Sequence, residues 1–141
     1  MKSTKYLILF ILALTLTVPS CKKDETTLSK KKILIAKSWQ LSSIKENGVT
    51  DVLHDCDKDN ILTFLLDGTY SFDPNVIKCD LGSKIESGTW SLSSDEKFLL
   101  LDDGTQMTIV ELSEIKLVLL EVGNVNSYEM TLVSISSKSA K

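Results

Sequence analysis

Eight short runs of strand-forming residues, joined for the most part by turn residues, restrict the fold of this chain more than any other feature. They fall at 38–46, 61–67, 69–73, 84–92, 97–102, 105–112, 116–122 and 127–135. Asp67-Gly68, Asp103-Gly104 and Gly123-Asn124 accept positive φ in tight hairpin turns, and Ser93-Ser94-Asp95-Glu96 and Ser113-Glu114 punctuate the chain without glycine. Close connections of this kind make an antiparallel meander. A flat meander leaves two unpaired edges, and closure removes both. The expected fold is therefore all-β, an eight-stranded antiparallel up-and-down barrel with a short N-terminal helix. A β-sandwich draws on the same pattern and is the alternative.

Alternation is clear in the last run, where Tyr128, Met130 and Leu132 share a face against Glu129 and Thr131. Phe98-Leu99-Leu100-Leu101 and Leu117-Val118-Leu119-Leu120 are apolar on both faces, so part of the outer surface calls for cover from the N-terminal helix, a neighbour or a long loop. The helix is expected at 29–36, with Ser29 as its cap. Trp39, Leu41, Phe64, Trp90, Tyr128 and Met130 are the candidates for the barrel interior. An eight-stranded barrel is just wide enough to be filled by side chains or to hold one small ligand. These residues suit either outcome, and short strands make any cavity shallow.

Ahead of the strands, Lys2 and Lys5 precede an apolar stretch over 6–14, and the segment closes on Val18-Pro19-Ser20-Cys21. The stretch is short for a spanning helix and has the order of a lipoprotein signal peptide. Residues 1–20 are thus expected to be removed and Cys21 to be acylated, with 21–32 a lipidated flexible tether and 33–137 the barrel domain. Several acyl chains hold a protein to a bilayer stably where one holds only marginally. Lys22-Lys23-Asp24-Glu25 resembles the export signal that sends Bacteroidetes-type lipoproteins to the outer face of the outer membrane; its plainer reading is a solvated tether. The expected location is the cell envelope, as a surface-exposed outer-membrane lipoprotein, with a periplasm-facing protein as the alternative.

Loss of Lys2 and Lys5 would leave fourteen lysines against nineteen acidic residues, taking the net charge from −3 to −5. No basic stripe invites nucleic acid. The chain has no arginine, which weakens any site built on a planar bidentate clamp for phosphate or carboxylate. With Cys21 lipidated, Cys56 and Cys79 form a natural disulfide pair in an oxidising, exported compartment. Together with His54 they could otherwise ligate zinc, but four ligands at motif spacing are missing.

Other candidate chemistry is thin. Asp55-Cys56-Asp57-Lys58-Asp59-Asn60 begins like a calcium loop, yet Asn60 and Leu66 stand where glycine and a bidentate glutamate are needed, leaving a solvated acidic loop. His54, the single histidine, has no obvious partner, and no serine sits in a Gly-x-Ser-x-Gly elbow. Asp102-Asp103 read as turn formers. No glycine-rich phosphate loop is present. No cofactor or metal and no catalysis are expected.

Several pieces in order are similar to the lipocalin-like lipoproteins of Bacteroidetes-type bacteria. They are Trp39 within Lys37-Ser38-Trp39-Gln40-Leu41, Asp59-Asn60-Ile61-Leu62-Thr63-Phe64 leading to Asp67-Gly68-Thr69-Tyr70, then Lys78-Cys79, and Ser87-Gly88-Thr89-Trp90-Ser91-Leu92. The resemblance spans about residues 33–135 and implies a small calycin-type barrel, with Trp39 near its base and Cys56 joined to Cys79. Lys37 stands where lipocalins usually have glycine, and the arginine that many members pack on the first tryptophan is absent. The expected function is that of a membrane-anchored lipoprotein binding a small apolar or amphipathic molecule without catalysis. The alternative is a structural or protein-interaction lipoprotein of the envelope with a filled barrel and a protein partner.

Overall fold

The computed structural model describes residues 29–136 except Leu81. The signal segment, Cys21, and Lys22, Lys23, Asp24 and Glu25 lie outside the described residues.

One antiparallel sheet closes on itself. Its strands are β1 (Ser38–Glu46), β2 (Val49–Thr50), β3 (Ile61–Phe64), β4 (Thr69–Asp73), β5 (Glu86–Leu92), β6 (Phe98–Leu101), β7 (Gln106–Leu112), β8 (Lys116–Val122) and β9 (Ser127–Ile135). Each of β3 to β9 pairs with its sequence neighbour, and β1 pairs with β3 on one side and β9 on the other. The β1–β9 ladder runs from Ser38 opposite Ile135 to Glu46 opposite Tyr128. That ladder decides for a barrel and against a sandwich. β2 adds a two-residue hairpin at the end of β1 and is not one of the eight barrel strands.

Several strands are shorter than their sequence runs because turns consume the ends. The run at 61–67 stops at Phe64, and Leu65 to Gly68 form a turn in which the Asp67 carboxylate accepts the backbone N–H and the hydroxyl of Thr69 at 2.9 and 2.7 Å. Gly68 takes φ +88° there, a value that costs other residues dearly. Two bulges interrupt the alternation in β1 and β7, not in the doubly apolar runs of β6 and β8. The register of β1 on β9 slips between Leu41 and Ser43, and that of β7 on β8 between Ile109 and Glu111. An extra residue turns the following side chains by one position, so Leu41 and Ile44 both face inward.

A helix, α1 (Lys30–Ile35), closes the end of the barrel where β1 begins and β9 ends. Leu34 is fully buried and joins Trp39, Phe64, Trp90, Leu99, Ile109 and Leu117 in one core, with Ile33 and Ile35 packed against it. The helix thus plugs the base and does not sheathe the wall. Ser29 makes no side-chain cap, contrary to expectation. Glu96, on the β5–β6 hairpin, does that work: its carboxylate accepts the Lys30 N–H at 3.4 Å and its carbonyl accepts the Lys30 ammonium at 2.8 Å. A carboxylate brought in from another hairpin satisfies an orphan N–H and suits the positive end of the helix.

At the opposite end, a second short helix absent from the sequence reading, α2 (Asp55–Lys58), follows the β1–β2 hairpin. Cys56 on α2 is bonded to Cys79 in the β4–β5 loop, with Cα atoms 5.2 Å apart. The two segments are clasped again by Asp59, one of whose oxygens accepts the N–H groups of Val76 and Ile77 at 3.1 and 2.9 Å. Base helix, closed sheet, core and disulfide all lie within the described residues, so the barrel is structurally self-contained.

Candidate functional site

Above the packed base the barrel is hollow. A cavity of about 440 Å³ opens between the strands, and its floor is formed by Trp39, Phe64, Leu99 and Leu132. The upper walls come from Leu41 and Ile44 of β1, Leu62 of β3, Tyr70 and Phe72 of β4, Leu101 and Met107 of β6 and β7, and Leu119 and Met130 of β8 and β9. Alternation on each strand places these side chains inside, and the two bulges keep them there. Asp57 and Asn60 beside α2, and Glu86 at the start of β5, complete the lining. Glu86 is exposed while lining the cavity, so the cavity reaches solvent on that side. A concave apolar chamber with a few polar groups is the usual form of a small-molecule site, for which 300–1,000 Å³ is a typical range.

The floor is rigid for identifiable reasons. Trp39 is fully buried, and its indole N–H donates to the Leu34 carbonyl at 3.0 Å, one of the carbonyls a helix end leaves without an internal partner. Phe64 meets Trp90 edge to face at 5.0 Å between centroids. Trp90 donates its indole N–H to the Leu65 carbonyl at 3.2 Å, and the Lys31 ammonium lies 5.8 Å from its ring centre. A lysine on the second tryptophan is thus the cation stacked at the base.

Among the residues singled out from sequence, Trp39, Leu41, Phe64 and Met130 line the cavity. Trp90 is buried beneath it, in the core and not in the lining. Tyr128 stands at the rim, 37 % exposed, where its hydroxyl donates to Glu46 at 3.0 Å. Sequence reading missed Tyr70, Phe72, Leu101, Met107 and Leu119; alternation carried the signal for Tyr70, Phe72 and Met107, while Leu101 and Leu119 lie in runs apolar on both faces.

The acidic stretch after His54 disperses its carboxylates. Asp55 pairs with Lys58 at 3.0 Å, Asp57 accepts the His54 N–H at 3.2 Å, and Asp59 grips the β4–β5 loop. Three divergent carboxylates make no calcium loop. His54 is exposed at the N-cap of α2. Cys56, Asp57 and Cys79 converge, with an Asp57 oxygen 3.4 Å from the Cys79 sulfur, but bonded sulfurs have neither a proton to donate nor a thiolate to offer zinc.

Asp102 and Asp103 part company as well. Asp103 is a turn former that accepts the Thr105 N–H at 2.8 Å. Asp102 is exposed, and its carboxylate lies over Gly88: a Cβ at residue 88 would lie 2.5 and 2.8 Å from its carboxylate oxygens and 2.8 Å from the Tyr70 ring. The Asp102 carboxylate thus occupies space beside Tyr70 that any side chain at 88 would take. Burial, together with the negative charges of Asp102, Asp103 and Glu86, raises the Tyr70 phenol above its ordinary value, so the hydroxyl stays protonated.

No curated protein and no solved structure matches the chain. A family profile described as a lipocalin-like domain matches residues 35–119, from the helix end and base tryptophan through the hairpins to the middle of β8. That match covers more than half of the sequence and agrees with the closed eight-stranded barrel. By profile and architecture together, the chain belongs to the lipocalin-like domain family.

Proposed function

We propose that this protein is a lipoprotein of the bacterial envelope, of the Bacteroidetes type, whose barrel binds a small apolar or amphipathic molecule without catalysing a reaction. The observation that carries the binding reading is the apolar cavity above the base plug. The described chain starts at the base, where α1 leads into β1, so a tether from Cys21 would enter on the side away from the mouth. Lys30, Lys31 and Lys32 stand on that side, which suits an anionic lipid surface. In this reading Cys21 carries the acyl chains, and Lys22, Lys23, Asp24 and Glu25 direct export.

Two measurements test it. Radiolabelled palmitate should enter the wild-type chain and not a Cys21→Ala variant. Apolar probes such as dodecanol, fatty acids or sterols should change the fluorescence of Trp39 on the cavity floor, and Met107→Trp, which fills the upper wall, should abolish the heat of binding by calorimetry. Absence of binding by every probe would refute the ligand reading.

A second reading rests on exposed aliphatic residues around the mouth. Val49 and Val52 after β1, Val76 and Ile77 in the β4–β5 loop, and Val125 in the β8–β9 turn are all at least 49 % exposed. Such a rim suits a partner protein in the envelope. A stoichiometric partner captured from native membranes, and lost on Val49→Lys with Val125→Lys, would favour it.

A further inference from the structure

The cavity is apolar inside and one-signed at its opening. Asp57 and Glu86 line it directly, and no lysine does. Asp102, exposed and outside the lining, sets a third carboxylate over Gly88 beside the Tyr70 ring. At the rim Glu46 is held by two neutral donors, the Asn126 amide at 2.7 Å and the Tyr128 hydroxyl at 3.0 Å, and by no cation. The ion pairs among the described residues join Lys45 to Glu129, Lys58 to Asp55, Lys97 to Asp95 and Lys116 to Glu111, and none touches these four carboxylates. Lys84 lines a smaller neighbouring hollow with Glu86, yet makes no ion pair with it.

We infer that the cavity takes a singly headed amphiphile whose head is a cation, a protonated amine or quaternary ammonium, set at the acidic mouth with its apolar body on the Trp39 floor. This rests on the binding reading above and specifies the ligand class for the same site. Carboxylates at the mouth without an ion-pair partner, beside low-dielectric walls, make a negative field there, so a cation entering is attracted while a carboxylate is repelled. The volume matches the liquid volume of roughly fifteen waters, which suits a tail of about a dozen carbons. Aromatic rings add to the preference: Tyr70 and Phe72 stand in the wall shared with Glu86, and ring faces attract ammonium groups.

Three probes of one tail length separate head from body: dodecylamine, dodecanol and dodecanoate, each below its micelle concentration at pH 7 and low salt. They are titrated calorimetrically into the chain from residue 22 onward, which holds the whole barrel. The expected order is amine, alcohol, carboxylate, with the amine at least about tenfold tighter than the alcohol, a gap that narrows in added salt. Glu86→Gln combined with Asp102→Asn should bring the amine to within about threefold of the alcohol, with an unchanged urea midpoint showing that the barrel is intact. Equal affinity for amine and alcohol would overturn the inference while leaving the binding reading standing. Amine binding that persists unchanged in Met107→Trp would also overturn it, by placing the amine outside the cavity. Binding of none of the three would sink the binding reading itself.

Discussion

At the scale of single residues, the chain shows which side chains a sequence exposes to reading and which it hides. Trp39 was legible because the family resemblance implied a place near the barrel base; its hydrogen bond to Leu34 was not, because it depends on where α1 ends. Gly88 is the opposite case. It looks like one more glycine in a strand, yet its missing side chain is what admits the Asp102 carboxylate beside Tyr70. Gly88→Ala should therefore push the exposed Asp102 carboxylate aside and shift the Tyr70 ring, at a cost of about 1–2 kcal/mol. Urea unfolding would measure this, and a shift in the Tyr70 ring resonances would locate it. The same alanine at Gly104, where φ is +87° but open space surrounds the position, should cost only about 1 kcal/mol, from backbone strain.

Hairpins are the elements that fix the register, and three of them are pinned by aspartates. Asp67, Asp95 and Asp103 each accept hydrogen bonds from residues two positions on, and each is held below the ordinary carboxylate value. The strongest case is Asp95, pulled down to about 2, first by the Ser93 hydroxyl, then by the Lys97 backbone N–H and the Lys97 ammonium. A folded value below the unfolded one means that the carboxylate helps the fold above pH 3.8 and that this help is lost as pH falls through about 2. The β5–β6 hairpin should loosen over that window, with faster amide exchange at Lys97 and Phe98. Ser93→Ala should move the Asp95 titration back toward 3.8, as read by carboxyl carbon NMR. Glu96 in the same hairpin caps α1, so the loosening should reach the base plug. The turns themselves were legible from Asp-Gly and Ser-rich punctuation. The shortened strands were not, because turns consume their ends, and neither were the two bulges, which follow from how closure distributes twist around the sheet.

For the whole molecule, the sequence left a filled barrel and a hollow one equally open, and the structure divides them by height: packed at the base, hollow at the mouth. The disulfide belongs to the hollow end. Cys56–Cys79 and the Asp59 clasp hold α2 and the β4–β5 loop where strand pairing is absent, because β1 pairs with β3 only from Ser38 to Gln40. Replacing both cysteines by serine should lower stability by about 3 kcal/mol through regained freedom of the unfolded loop. The urea midpoint should fall by about 1–3 M. The damage should concentrate at the mouth, leaving the base core protected against hydrogen exchange. A uniform loss of protection would count against that division.

The sequence by itself determined the all-β class, the strand order, the base tryptophan, the pairing of the two cysteines and the lipocalin-like family resemblance. The strands and their order follow from local periodicity, turn chemistry and residue type, which act over a few neighbouring positions. The base tryptophan was implied by the family resemblance, and the cysteine pairing by an oxidising, exported compartment and by that resemblance. Tertiary structure alone decided that β1 meets β9, that Trp90 and Tyr128 stay outside the cavity, that the Asp102 carboxylate lies over Gly88, and that a void remains above the plug. Each of those depends on how far a closed, twisted sheet brings distant side chains together, and whether they meet or fall short is a matter of a few ångströms that no local pattern records.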